Sequence, residues 1–277
     1  MRGRKKQDHK KRRLLGTALL VSVLAVLLSG DPPASALPEQ TALPVEAKQE
    51  EPVRARVLEP ARTTEAEEPP EETPEKPETM LVPEREPVED AYFADTVFLG
   101  DSRTEGFHLY SGLKEGEYLY AVGATVDSVQ TKATEETEDG TITLMDRLDQ
   151  LEFSKVYIML GVNELGWPKT EKFEERYGDI VDRIQETHPD ARIALQSILP
   201  VSEKQEKKGS YVNNRRIGEY NEVVRRVAEE KNCVYLDVAE AGTGGDGCLM
   251  ADLTSDGVHL NTKGCKLWLE YLEEHPI

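Results

Sequence analysis

Three short polar segments hold the residues from which this chain could build a reaction centre. The first is Gly100-Asp101-Ser102, followed by Arg103 and Thr104. A serine hydroxyl delivered there is either a nucleophile or the N-cap of the next helix, because serine suits both tasks. The second is Gly161-Val162-Asn163-Glu164-Leu165-Gly166-Trp167. Asn163 carries a neutral amide donor for a developing oxyanion, or else caps a turn. Glu164 orients this loop or faces solvent; Trp167 walls a cleft or packs at the edge of the core. The third is Ser255-Asp256-Gly257-Val258-His259-Leu260-Asn261. An Asp and a His three apart in a loop put the imidazole forward with the carboxylate behind it. A carboxylate on one ring nitrogen sets the tautomer and leaves the other nitrogen free to take a proton.

Together these segments supply a nucleophile, a base with its orienting acid and an oxyanion donor, the minimum set for acyl transfer. That chemistry needs no metal and no cofactor. Position 104 is Thr rather than Gly, so there is no G-x-S-x-G elbow of the α/β-hydrolase kind. The remaining histidines are less well placed. His9 lies in the basic N-terminal segment, His188 precedes Pro189, His275 is near the C-terminus, and His108 sits on the helix leaving Ser102.

The segments gain meaning from what precedes them. Apolar runs predict strands at Thr96–Leu99, Tyr118–Val122, Val156–Leu160, Ile193–Ser197 and Val234–Val238. Helical patterns lie between them at about Val126–Ala133, Leu144–Leu151, Glu171–Thr187 and Val212–Lys231, with a last helix over Thr262–Glu273 capped by Asn261 or Thr262. In the fourth, apolar residues recur at 217, 220, 223, 224 and 227, the spacing of one helix face. Strands alternating with helices imply right-handed crossovers and a parallel sheet covered on both faces. Ligands in such α/β sheets sit beyond the carboxyl ends of the strands, where all three segments fall. The polar loop Val201–Tyr211 follows the fourth strand and is either a substrate-contacting lid or a solvated surface loop.

The whole chain has 277 residues and a formal net charge of −19, unevenly spread. Residues 2–13 are densely basic, and residues 14–28 are almost wholly apolar. Ala34-Ser35-Ala36 then offers an A-x-A-like site. That order describes a secretory signal peptide over 1–36, or an uncleaved membrane anchor. Either way, the chain after residue 36 is expected outside the cell, secreted or held at its surface, with membrane contact only through the N-terminal segment. Residues 37–90 are rich in Pro and Glu with no hydrophobic period, and read as a disordered linker or stalk. Residues 91–277 are the expected catalytic domain. The acidic balance, with no basic patch beyond the first residues, argues against a nucleic-acid partner. Cys233, Cys248 and Cys265 make no metal spacing, and their odd count favours buried or free thiols.

Across 91–277 the residues resemble the SGNH (GDSL-type) hydrolases. Gly100-Asp101-Ser102 resembles the first block of that family, and Gly123 in Ala121-Val122-Gly123-Ala124 the second-block glycine. Gly161-Val162-Asn163-Glu164 looks like the third block and Asp256-Gly257-Val258-His259 like the fifth. The resemblance implies a flavodoxin-like three-layer α/β/α sandwich with a central five-stranded parallel sheet. It also implies a metal-free esterase or acyltransferase with Ser102 as nucleophile, His259 as base and Asp256 as its partner. The N–H groups of Ser102 and Gly123, with the Asn163 side chain, would form the oxyanion hole. Two positions depart from the family's usual residues. Arg103 stands where leucine is most frequent, and either reads an anionic substrate or, the preferred reading, pairs with a carboxylate such as Glu105. Glu164 stands where Asp is commoner. Arg103, Glu164 and Trp167 are the candidate substrate-lining residues. The expected activity is an exported serine esterase acting on small acyl groups, acetyl foremost, of cell-envelope or environmental glycans. The alternatives are a glycan O-acyltransferase of the same fold and a non-catalytic binding module on a stalk.

Overall fold

The structure, a computed structural model, describes residues 82–277. The expected leader at 1–36 and most of the linker at 37–90 lie outside the described residues. Among the described residues, no helix is long and apolar enough to cross a membrane.

Five strands form one parallel sheet: β1 (Thr96–Gly100), β2 (Glu117–Tyr120), β5 (Lys155–Met159), β6 (Arg192–Gln196) and β7 (Val234–Leu236), in the order β2-β1-β5-β6-β7. Each predicted strand is present to within a residue or two. Alternate side chains of a strand point to opposite faces, and both faces are buried here. Val97, Leu99, Val156, Ile158 and Leu195 enter one core with helices α3 (Leu144–Leu148), α4 (Glu171–Thr187) and α6 (Asn214–Glu230). Phe98, Tyr157, Met159, Ala194 and Leu236 enter the other with α1 (Ser102–Tyr110) and α8 (Thr262–Glu274). This is the expected three-layer α/β/α sandwich.

The departures from expectation are local. The helix predicted at Val126–Ala133 is a single turn, α2 (Ser128–Thr131), and is followed by an antiparallel hairpin of β3 (Ala133–Thr137) and β4 (Gly140–Thr143). The Asp139-Gly140 pair is the turn signal that favours a hairpin. The strands around it carry few apolar residues, so periodicity did not reveal them. Two further short helices, α5 (Glu203–Glu206) and α7 (Ala239–Gly242), sit within connections. The chain also joins the domain before residue 91. The Arg85 and Val88 N–H groups donate to the Glu274 and Glu273 carbonyls at 2.8 and 3.0 Å, at the end of α8. All three cysteines are free, with Cys233 and Cys265 buried.

Candidate active site

β1 is flanked by β2 and β5, and its buried run ends at Gly100. The N-cap of α1 is Asp101, not Ser102: the Asp101 Oδ1 accepts the Arg103 N–H at 2.8 Å. Ser102 is therefore the first helical residue, with its hydroxyl released from capping. Its N–H belongs to the first turn, whose donors have no acceptor within the helix. The Ser102 Oγ lies 3.0 Å from His259 Nε2. On the other side of the imidazole, Nδ1 is 2.7 Å from Asp256 Oδ2. With Nδ1–H donating to the carboxylate, Nε2 is the free base facing the hydroxyl. Three groups from α1 and the loop before α8, 157 residues apart in sequence, thus form one continuous hydrogen-bonded line.

The Asp256 loop is built to hold that line. Asp256 Oδ1 accepts the N–H groups of Val258 and His259, both at 2.8 Å. Partial burial pushes the Asp256 carboxyl up, but the His259 side chain and these two backbone donors outweigh it and hold the group well below the usual carboxylate range. The Thr254 hydroxyl donates to the His259 carbonyl at 2.7 Å and accepts the Gly257 N–H at 2.9 Å. Gly257 has φ +93°, and a Cβ there would lie 2.5 Å from Ser202 Oγ. Only glycine meets both demands. The Ser202 N–H donates to the Gly257 carbonyl at 2.9 Å, so the start of α5 braces the base loop. The Val201–Tyr211 segment, open to two readings in sequence, thus has a structural task at its first residues. The S-x-x-Q pattern of Ser202–Gln205 was the available signal for a helix start here.

The candidate oxyanion donors lie at two further strand ends. Gly123 follows β2 in an exposed turn at φ +74°, closed by the Ala124 N–H on the Ala121 carbonyl at 3.0 Å. Asn163 follows β5. Its Nδ2 donates to the Ala124 carbonyl at 2.8 Å and lies 3.4 Å from Asp101 Oδ2. One amide proton thus anchors Asn163 to the Gly123 turn, and the second is held only by a long contact.

Two of the three candidate lining residues are corrected. Arg103 is 2% exposed and pairs with neither Glu105 nor a ligand-accessible surface. Its Nη1 donates to the Leu199 carbonyl at 2.7 Å, while Nε and Nη2 have no partner among the described residues. Burial pulls its guanidinium down to about 10, against the opposing charges of Asp101 and Asp256. Helix α1 turns position 103 inward, a direction the residue's charge does not announce. Glu164 is 0% exposed and so presents no surface to a ligand. Its Oε1 accepts the Val126 N–H at 2.6 Å and Oε2 has no partner among the described residues. Burial pushes this carboxyl up to about 8, with the Val126 N–H pulling it back and the Asp101 charge pushing further. Trp167 packs partly buried at the core edge, with the Lys172 ammonium 4.9 Å from its ring centroid. The other described histidines are engaged elsewhere. His108 stacks on Tyr118, His188 on Phe153 and His275 on Tyr271.

A parallel α/β/α sandwich with these blocks at the carboxyl edge of its sheet has the architecture of an SGNH hydrolase. The sequence matches the family described as GDSL-like Lipase/Acylhydrolase over residues 98–267, more than half of the chain, and the protein belongs to that family of hydrolases. Among solved structures it is similar to a Streptococcus pneumonia protein named for platelet activating factor, at 22% identity and a TM-score of 0.52, covering 64% of this chain and 81% of that one. A GDSL-like protein of Parabacteroides merdae gives 15% identity and a TM-score of 0.53, covering 65% and 94%. A GDSL-like lipase of Bacteroides thetaiotaomicron gives 15% and 0.50, covering 68% and 89%. At these identities the likeness concerns the fold. A comparison with curated proteins finds no match.

Proposed function

We propose that the protein is an exported serine esterase that removes small acyl groups, acetyl foremost, from cell-envelope or environmental glycans through an acyl-enzyme on Ser102. The observation that carries the chemistry is the line Ser102 Oγ–His259 Nε2–Asp256, with separations of 3.0 and 2.7 Å. In this reading the Ser102 Oγ attacks the ester carbonyl while His259 Nε2 takes its proton. The oxyanion is met by the Ser102 and Gly123 N–H groups and by the second Asn163 amide proton. His259 then gives the proton to the leaving alcohol, and the acyl group remains on Ser102. Water, deprotonated by the same imidazole, attacks the acyl-enzyme and releases the carboxylic acid. Asp256 keeps Nδ1 protonated throughout and offsets the charge of the imidazolium. Export rests on the basic, apolar and A-x-A-like order of residues 1–36, and a role outside the cell on the Pro/Glu-rich segment that follows.

A fluorophosphonate probe tests the nucleophile without a guess about substrate. The purified protein should be labelled once, and Ser102→Ala and His259→Ala should abolish labelling and acetate release from p-nitrophenyl acetate. Labelling or turnover retained by Ser102→Ala would remove Ser102 from the mechanism. A folded wild-type chain that is neither labelled nor active would favour the binding module.

A further inference from the structure

A cavity of about 570 Å³, within the range of small-ligand clefts, shares a wall with the loop that carries the base. Thr254, Ser255 and Gly257 of that loop line it on one side. The start of α5, with Glu203 and Lys204, and the segment 244–252, with Asp246 and Met250, complete it. The loop that the cavity shares with His259 bears on which part of a substrate it faces. Ser102 follows β1, and the oxyanion donors Gly123 and Asn163 follow β2 and β5. The cavity is built by connections that follow β6 and β7, beyond Asn163 in the sheet order and across the nucleophile from Gly123. In ester cleavage the carbonyl oxygen points to the oxyanion donors and the leaving oxygen points to the imidazole that protonates it. The alcohol moiety therefore extends toward the base loop, and so toward this cavity.

We propose that this cavity is the binding site for the alcohol part of the substrate, and that it takes an uncharged polyhydroxylated alcohol, a sugar unit, in preference to a phosphorylated one. The proposal rests on the esterase reading above. Its wall combines serine and threonine hydroxyls and glycine backbone with carboxylates, groups that accept hydrogen bonds from sugar hydroxyls. Met250 and Leu249 offer an apolar patch for a ring face. Asp246, Glu203 and Asp252 stand against Lys204 in the lining, and with Lys207 and Lys263 paired to two of those carboxylates the local charge is near zero, which offers a phosphate dianion no net attraction. Two of those carboxylates are paired with lysines, Glu203 with Lys207 at 2.6 Å and Asp252 with Lys263 at 2.5 Å, whereas Asp246 accepts only the Cys248 N–H at 3.0 Å, on Oδ1, which leaves its Oδ2 as an acceptor for a sugar hydroxyl.

Gly245 supplies a clean test. It lines the cavity, and a Cβ built on it meets nothing within 4 Å, so Gly245→Phe adds a bulky ring at the cavity wall without a backbone clash. Asp246→Asn removes charge and keeps size. The substrates are methyl acetate, whose alcohol is too small to occupy the cavity, and O-acetylated xylotetraose and chitotetraose, each followed by acetate release. A 1-acyl-glycerophosphate is the phosphorylated comparison. Gly245→Phe should raise KM for the acetylated oligosaccharides about tenfold or more and leave kcat/KM for methyl acetate within about twofold of wild type. Asp246→Asn should raise the oligosaccharide KM several-fold. Unacetylated tetraose should inhibit hydrolysis of the acetylated oligosaccharide competitively in the wild type and about tenfold more weakly or not at all in Gly245→Phe. Equal effects of Gly245→Phe on all substrates, no effect on any, or preference for the glycerophosphate ester would overturn the assignment and leave the serine chemistry standing. A wild-type protein inactive on p-nitrophenyl acetate would overturn the esterase reading itself, and this proposal with it.

Discussion

Replacing Glu164 by Gln tests the link between a buried carboxyl and the stability of the site. Glu164 is 0% exposed, with Oε1 on the Val126 N–H and Oε2 unpartnered. Its folded-state pKa is about 8, against 4.5 for the ordinary group. The folded protein therefore keeps a proton that the unfolded chain releases. Between those two values folding takes up a proton, so stability is highest below pH 4.5, falls as pH rises, and the contribution is gone above pH 8. At 1.36 kcal/mol per unit, the loss between pH 5 and 9 is about 4 kcal/mol. Water entry on ionisation makes this an upper value. Glutamine keeps the acceptor for Val126 and places a neutral NH₂ where the protonated oxygen was. Thermal unfolding followed by circular dichroism from pH 5 to 9 should show the wild-type Tm falling by roughly 10 °C more than that of Glu164→Gln, at about 2–4 °C per kcal/mol for a domain of this size. The two proteins should nearly coincide at pH 5 and diverge above pH 7. Parallel Tm curves across the range would refute the reasoning, because they would mean that Glu164 is ionised in the folded state at neutral pH.

Other outcomes follow from single contacts. Asp256→Asn keeps the shape of the loop but loses the charge behind His259, so kcat should drop on the order of 10²–10⁴-fold with little change in KM, measured on p-nitrophenyl acetate. Gly257→Ala forces a Cβ to within 2.5 Å of Ser202 Oγ at φ +93°, and should cost about 1–3 kcal/mol of stability in urea unfolding and slow fluorophosphonate labelling. Ser202→Ala removes the cap of α5 and so has its own cost, which should be smaller in the Gly257→Ala background than in the wild type; an equal cost in both would mean that the Ser202 contact is not the cause. A disulfide-exchange reagent applied to native protein should modify Cys248, which is partly exposed, and spare Cys233 and Cys265, which are buried with thiols pushed up to about 12. All three should react in denaturant.

Much of the fold was legible in the chain, and the reason is periodicity. Buried parallel strands are short continuous apolar runs, and α4 and α6 repeat apolar residues on one face, so both announce themselves locally. The hairpin of β3 and β4 did not, since its pairing leaves most of its side chains partly or fully exposed and asks little of their hydrophobicity. The residues of the candidate site were legible because their types and order are restrictive: a serine after a strand, an asparagine after another, and an Asp–His pair before the last helix.

What the chain by itself determined was thus which residues are capable of the chemistry and which strand ends deliver them. Tertiary structure alone decided which way each side chain turns. Asp101, not Ser102, caps α1, which frees the hydroxyl for an imidazole 157 residues away. Arg103 and Glu164, polar by type and expected at the substrate, point inward. The Ser202 brace beneath Gly257 and the cavity beside it come from the approach of separate connections, which the S-x-x-Q helix start at Ser202 does not announce. Residue type and spacing are local quantities, whereas burial and the approach of distant loops depend on how the layers pack, and no window of the sequence contains that information.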